Sequence, residues 1–175
     1  MSDDLRISVL CTGGTMSKVY PKSIGGYAFE FGETSAASRV LSRVPGLPSI
    51  LVERVLAKDS TELTTEDRTL LENRILHHLK ENNTNRFVIT HGTDTMIETG
   101  LFLLPLCRKH QVIVCLTGSK IPEAFKDSDA DFNLGFAFGV ISAAPVLGNA
   151  FICMNGQCFP VENVKRMEDG SWKKI

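Results

Sequence analysis

Residues 86–101 read Arg86-Phe87-Val88-Ile89-Thr90-His91-Gly92-Thr93-Asp94-Thr95-Met96-Ile97-Glu98-Thr99-Gly100-Leu101. The short apolar run from Phe87 to Thr90 predicts a strand buried on both faces. His91 to Thr95 form a turn rich in hydroxyls, with one glycine, and a helix containing Met96, Ile97 and Leu101 follows. A strand that passes through a short turn straight into a helix is half of a parallel βαβ unit.

The same grammar extends in both directions. Leu5 to Cys11, Ile50 to Leu56, Val112 to Leu116 and Ala150 to Met154 are further apolar, β-branched runs. Between them lie helical segments, the clearest from Thr64 to Asn82, where Leu71, Ile75 and Leu79 recur at i+4 beside Leu76. Thr64 followed by Asp67 predicts a capping box at its start. Ser128 and Asp131 repeat that signature before Phe132, Phe136 and Val140, which share one helical face; the phenylalanines Phe132, Phe136 and Phe138 are expected in the core. Alternating strands and helices predict an α/β fold in three layers, a mostly parallel sheet flanked by helices, with residues 1–175 as a single domain. Ligands in such folds bind beyond the carboxyl ends of the strands. Tyr20 to Gly32, with Pro21 and three glycines, reads as a long loop.

The 175 residues are 43% hydrophobic and 22% charged, which excludes a disordered chain. Nineteen basic and 20 acidic residues leave a formal charge of −1, so no chain-wide field favours nucleic acid or an anionic membrane. The acidic start, Met1-Ser2-Asp3-Asp4, lacks the basic and apolar parts of a secretory signal, and no stretch is long enough to span a bilayer. Cys11, Cys107, Cys115, Cys153 and Cys158 are an odd set, mostly in apolar segments and without a CxxC pair, which predicts buried reduced thiols in a cytoplasmic protein. The expected partner is a small solute.

Three turns occupy the ligand edge: Thr12-Gly13-Gly14-Thr15, His91-Gly92-Thr93-Asp94-Thr95 and Thr117-Gly118-Ser119. Glycines beside hydroxyls let backbone approach a ligand and present N–H groups to an anionic tetrahedral intermediate, which suits acyl chemistry. A threonine hydroxyl needs a base or a polar network to act as nucleophile; Thr93 and Asp94 offer a second hydroxyl and a carboxylate, and Asp94 is also suited to a substrate ammonium. The residues alone leave other readings open. The first turn is also a plain strand-to-helix connection, and Thr93 or Asp94 is also a helix cap. Phosphate binding lacks its motifs, since neither GxGxxG nor GxxxxGK[ST] occurs. His91, ending a buried strand, reads as structural. His77 and His78 are adjacent on a helix and share no face, so no metal is expected there, and no cofactor elsewhere.

Taken together, TGGT at 12–15, KDSTELT at 58–64, HGTDTM at 91–96, and TGS at 117–119 followed by SDADFNLG at 128–135 resemble the bacterial-type L-asparaginase family, and most closely its short, single-domain form. The resemblance covers the whole chain but only the family's N-terminal domain, which is Rossmann-like. It implies hydrolysis of L-asparagine to L-aspartate and ammonia through a threonine acyl ester, with L-glutamine as a further substrate. By the same resemblance Thr12 is the nucleophile, and Thr93 and Asp94 belong to its activating set. Tyr27, with Tyr20 as the other candidate, closes over the substrate. Ser60 takes the α-carboxylate, Asp94 the α-ammonium, and backbone N–H groups near Gly92, Thr93 and Gly118 complete the contacts. The family's essential lysine is expected about three helical turns beyond the FNL element, where this chain has Ala144. Lys120, and more weakly Lys126, are the amines expected to replace it. A homodimer or higher homo-oligomer is implied, because the family site is built at a subunit contact. Two other functions fit the same motifs: a regulatory module that binds the amino acid without turnover, and an ammonia-supplying subunit of an amidotransferase.

Overall fold

The computed structural model describes residues 5–21, 28–145 and 148–175. In chain order these form β1 (Arg6–Gly13), β2 (Lys18–Val19), β3 (Glu30–Phe31), α1 (Ala36–Leu41), β4 (Ser49–Lys58), α2 (Thr65–Glu81), β5 (Arg86–Thr90), α3 (Met96–His110), β6 (Ile113–Thr117), α4 (Ala130–Ala143), β7 (Asn149–Met154), β8 (Gln157–Pro160), β9 (Val164–Arg166) and β10 (Trp172–Lys174). Among the described residues the main sheet runs β4-β1-β5-β6-β7-β8. All its pairings are parallel except the antiparallel β7–β8 hairpin.

Two consequences of this topology place the site. The chain moves outward from β1 to β4 and then returns to lay β5 against the other side of β1, so the order reverses at β1 and opens a crevice beyond the ends of β1 and β5. The pairings Cys11 with Thr90 and Thr90 with Thr117 put the last residues of β5 and β6 level with Cys11, two residues before the end of β1. The turns that follow therefore begin side by side.

Alternate residues of each strand feed two cores. Leu10, Phe87, Ile89, Val114, Leu116 and Ile152 pack beneath α2 and α3. Ile7, Val9, Val88, Ile113, Cys115 and Cys153 pack beneath α1 and α4. This is the three-layer α/β architecture that the alternation predicts. The capping box of α2 forms as expected, with the Thr64 hydroxyl accepting from Asp67 N and the Asp67 carboxylate accepting from Thr64 N. Among the described residues no helix is long and apolar enough to cross a membrane.

Three expectations are corrected. β4 is not buried on both faces: it is an edge strand with β1 as its sheet neighbour, and Leu51 and Val52 are exposed. The second capping box does not form. Asp129 occupies the N-cap, Ser128 Oγ accepts from Ala130 N, and Asp131 pairs with Arg43 instead. Phe132, expected in the core, is 62% exposed. Because α4 is apolar nearly all round, its pattern does not mark the inward face, which is Leu134, Ala137 and Ile141.

One polar chain, buried at Ser8 and His78 and partly exposed at Glu53 and Arg74, crosses β1, β4 and α2. His78 Nδ1 lies 2.8 Å from Ser8 Oγ, His78 Nε2 lies 2.6 Å from Glu53 Oε2, and Arg74 Nε lies 2.7 Å from Glu53 Oε1. The order serine, histidine, carboxylate resembles a hydrolase triad, but Ser8 is wholly buried and no substrate reaches it. Its role is to satisfy groups the fold has dehydrated. Replacing His78 by alanine strands the Ser8 hydroxyl and is expected to lower unfolding free energy by about 2 kcal/mol, measurable as a reduced urea midpoint with an unchanged slope.

Candidate active site

Four turns meet beyond the carboxyl ends of β1, β4, β5 and β6, and glycines set how closely. Gly13 and Gly14 both have positive φ, 113° and 71°. That backbone swings the first turn over its neighbours, where Gly14 N donates to Lys58 O at 2.9 Å. A Cβ on Gly14 would collide with Gly92 N, and one on Gly92 would lie 2.7 Å from Ser60 Cβ. A Cβ on Gly118 would collide with His91 O. The sequence TGG-T, KDS, HGT and TGS is thus one packed cluster, in which larger residues at these glycines would push the turns apart.

The two threonines of the first turn differ. Thr12 is 1% exposed and its Oγ1 donates to Thr90 O at 2.9 Å, which ties the end of β1 to β5. Thr15, beyond the paired glycines, opens a 3-10 turn and is only partly buried. No hydrogen bond to another described residue engages its hydroxyl. The sequence offers Thr12 as the nucleophile; its hydroxyl is tied to Thr90 O, whereas that of Thr15 has no such bond among the described residues. The motif alone does not distinguish the two, since both threonines flank the same two glycines; their burial and hydrogen bonding do.

Ser60 is buried, and its hydroxyl has no hydrogen-bond partner among the described residues. A dehydrated hydroxyl in that state carries a cost that a bound acceptor relieves. Asp59, beside it, is held by Lys18 Nζ at 2.8 Å, and the Lys18 ammonium also lies 4.1 Å from the centre of the Phe29 ring. Thr95 Oγ1 donates to Ser60 O at 2.7 Å, fastening the KDS turn to the start of α3. Neither Thr93 nor Asp94 caps that helix, whose N-cap is Thr95. Thr93 is partly buried and Asp94 exposed.

His91 is structural, as its position suggested. Its Nδ1 donates to Gly92 O at 2.7 Å and its Nε2 accepts from Thr99 Oγ1 at 2.9 Å, while Thr99 Oγ1 accepts from Arg68 Nε at 3.1 Å. Burial pushes the imidazole down to about 4, with the Arg68 charge adding to that effect and the Gly92 carbonyl opposing it. A neutral ring therefore braces the turn from below.

The cation facing the Thr93-Asp94 turn comes from an unexpected element. Arg166, at the end of β9, places Nη1 3.3 Å from Asp94 Oδ1. Ala144 lies past the end of α4, and its carbonyl accepts from Arg86 at 3.2 Å. Arg86 opens β5, so Ala144 sits at the sheet edge opposite Thr93, about 20 Å along the helix from the turns. A side chain there does not serve the site. Lys120 donates from Nζ to Asp169 O at 3.1 Å and thereby links its turn to the β9–β10 connection. Gly118 N donates to Met154 Sδ at 3.2 Å, so that N–H is already engaged. Tyr20 is exposed and packs against Phe125 with tilted rings, centroids 5.7 Å apart, and Tyr27 lies outside the described residues. Among the described residues no group of three or more His, Cys, Asp or Glu side chains is arranged to hold a metal.

These features define an α/β protein with a hydroxyl-lined crevice at its topological switch point. The chain belongs to the asparaginase family: the family model described as "Asparaginase, N-terminal" matches residues 6–173. It is 29% identical over 163 residues to the probable periplasmic L-asparaginase of Haemophilus influenzae, covering 91% of this chain and 46% of the relative. It is 32% identical over 143 residues to L-asparaginase 1 of Escherichia coli, covering 80% of this chain and 41% of the relative. The thermostable L-asparaginase of Thermococcus kodakarensis superposes with a TM-score of 0.82 at 22% identity, over 98% of this chain and 51% of that one. That likeness establishes the shared fold. The chain spans about half the length of the relatives it matches.

Proposed function

We propose that this chain carries an amidohydrolase site that converts L-asparagine to L-aspartate and ammonia, with L-glutamine as a further substrate. The observation that carries the reading is the packing of Gly14 on Gly92 and Gly92 on Ser60, which gathers a partly exposed threonine, a serine unpartnered among the described residues and an exposed carboxylate at one crevice.

In the proposed reaction the Thr15 hydroxyl attacks the carboxamide carbon. The tetrahedral oxyanion collapses with loss of ammonia, and water then releases aspartate from the threonine ester. Ser60 receives the substrate α-carboxylate and Asp94 its α-ammonium. The Thr93 hydroxyl relays the proton lost by Thr15 to the Asp94 carboxylate, which returns it to the departing amide nitrogen, and Arg166 lies beside Asp94 as a fixed positive charge. A guanidinium does not give up its proton near neutral pH, so Arg166 acts as a fixed charge and never as the base. A base of that weaker kind slows turnover by a factor within the roughly 10²–10⁴ that general-base catalysis supplies. Lys120 is proposed to hold the Gly118 turn in place through Asp169.

The test is ammonia release from L-asparagine and L-glutamine by purified protein, against the Thr15→Ala, Thr93→Ala double variant. Release no greater than that of the variant sinks the proposal. Arg166→Ala is expected to lower kcat/KM about fivefold, the effect of a partly exposed charge contact, while Arg166→Lys retains activity. A second reading, amino-acid binding without turnover, is favoured by the same arginine; calorimetric binding of L-aspartate without ammonia release supports it. We propose a homodimer, in which a second copy closes the open crevice; light scattering at the mass of one chain contradicts this.

A further inference from the structure

Cys153 and Cys158 face each other across the β7–β8 hairpin, with their sulfurs 3.8 Å apart. The hairpin turns through Asn155 and Gly156, both at positive φ, 54° and 73°, as a two-residue type I′ turn requires. Met154 and Gln157 close that turn as a hydrogen-bonded pair, so by antiparallel alternation Cys153 and Cys158 form the next, non-hydrogen-bonded pair, whose Cα atoms approach to about 4.5 Å. That is at the short end of the span a disulfide bridges. Cys153 is buried, whereas Cys158 is partly exposed.

We propose that Cys153 and Cys158 are a modification site: a dithiol that low-molecular-weight disulfides oxidise reversibly to a cross-strand disulfide. The Cys158 thiolate attacks one sulfur of oxidised glutathione, forming a mixed disulfide and expelling one glutathione thiolate. The Cys153 thiolate then attacks the Cys158 sulfur, closing the protein disulfide and expelling the second. Each protein thiol loses one proton, the pair loses two electrons, and one oxidised glutathione becomes two reduced molecules. Cys115, on the neighbouring strand, is close enough to raise the Cys153 thiol through a hydrogen bond, and Cys153 raises Cys158 in the same way. Exchange is therefore slow near neutral pH and accelerates as pH rises. The consequence reaches the site, because Cys153 O accepts from Thr117 Oγ1 at 2.8 Å and Met154 Sδ accepts from Gly118 N.

The experiment incubates the native protein in glutathione redox buffers at pH 7 and pH 8.5, quenches it with an alkylating agent and maps the peptides by mass. The expected product is a peptide spanning residues 153 to 158 that has lost two hydrogens and escapes alkylation, forms about 30-fold faster at pH 8.5 than at pH 7, and reverts with dithiothreitol. Cys158→Ser abolishes it and Cys107→Ser does not. Full alkylation of all five cysteines after prolonged oxidation overturns the proposal, as does a persistent glutathione adduct on Cys158 or a bridge involving Cys115. The mass readout is independent of ammonia release, so failure here is distinguishable from failure of the proposed activity.

Discussion

Thr15→Ala is expected to lower ammonia release from L-asparagine by at least about 10³-fold, because removal of a nucleophile leaves only binding and oxyanion contacts. Its fold should be intact, since the Thr15 side chain is only partly buried and makes no hydrogen bond with another described residue. Thr12→Ala separates the two hydroxyls of the turn. It removes the bond to Thr90 O and is expected to cost about 1 kcal/mol of stability, with much of the turnover retained. Circular dichroism melts and a coupled ammonia assay on both variants check the pair. Loss of turnover in Thr12→Ala alone would return the nucleophile to the position first read from the motif.

The second large effect is on stability in acid. Burial drives the His91 imidazole from an ordinary 6.5 down to about 4. Below pH 6.5 the unfolded chain binds a proton at this residue that the folded protein refuses, so the free energy of unfolding decreases as pH falls. The stability at issue is fully present above 6.5, is lost progressively between 6.5 and about 4, and amounts to about 3 kcal/mol over that window. Carboxylates act lower on the scale. Asp59 is held below its usual range chiefly by the hydrogen bond from Lys18, against the opposing effect of burial. Burial of Glu53 is outweighed by bonds from Arg74 and His78. Their contributions vanish only as pH falls through those depressed values. Urea unfolding at pH 7, 6, 5 and 4.5 should show the decline in the native protein, and His91→Gln should flatten it. Equal slopes in the two proteins would mean that the imidazole is protonated within the fold.

Much of this was legible before any coordinates. The strand ending at Thr90, the turn after it and the helix from Met96 follow from local pattern, and so does the capping box of Thr64 and Asp67. The edge of the sheet that carries the turns also follows, because alternation implies parallel strands. What escaped was long-range or symmetric in the pattern. Arg166 reaches Asp94 from 72 positions away through a C-terminal hairpin that carries no motif, and the Arg68–Thr99–His91 relay joins three elements. Phe132 was misplaced because α4 is apolar nearly all round. Thr12 and Thr15 are equivalent as letters and differ only in what the positive-φ glycines leave within reach. The assignment of Ala144 to the activating position counted residues along a helix that in fact carries the chain away from the site.

The most direct test of the threonine ester is rapid acid quench of the protein with excess L-asparagine, followed by tryptic digestion and fragmentation of the peptide Ile7 to Lys18. The account predicts a fraction of that peptide carrying one aspartyl group, with the fragment series placing it on Thr15. Ammonia release with the peptide unmodified at every quench time, or an aspartyl group on a residue outside the first turn, would contradict it.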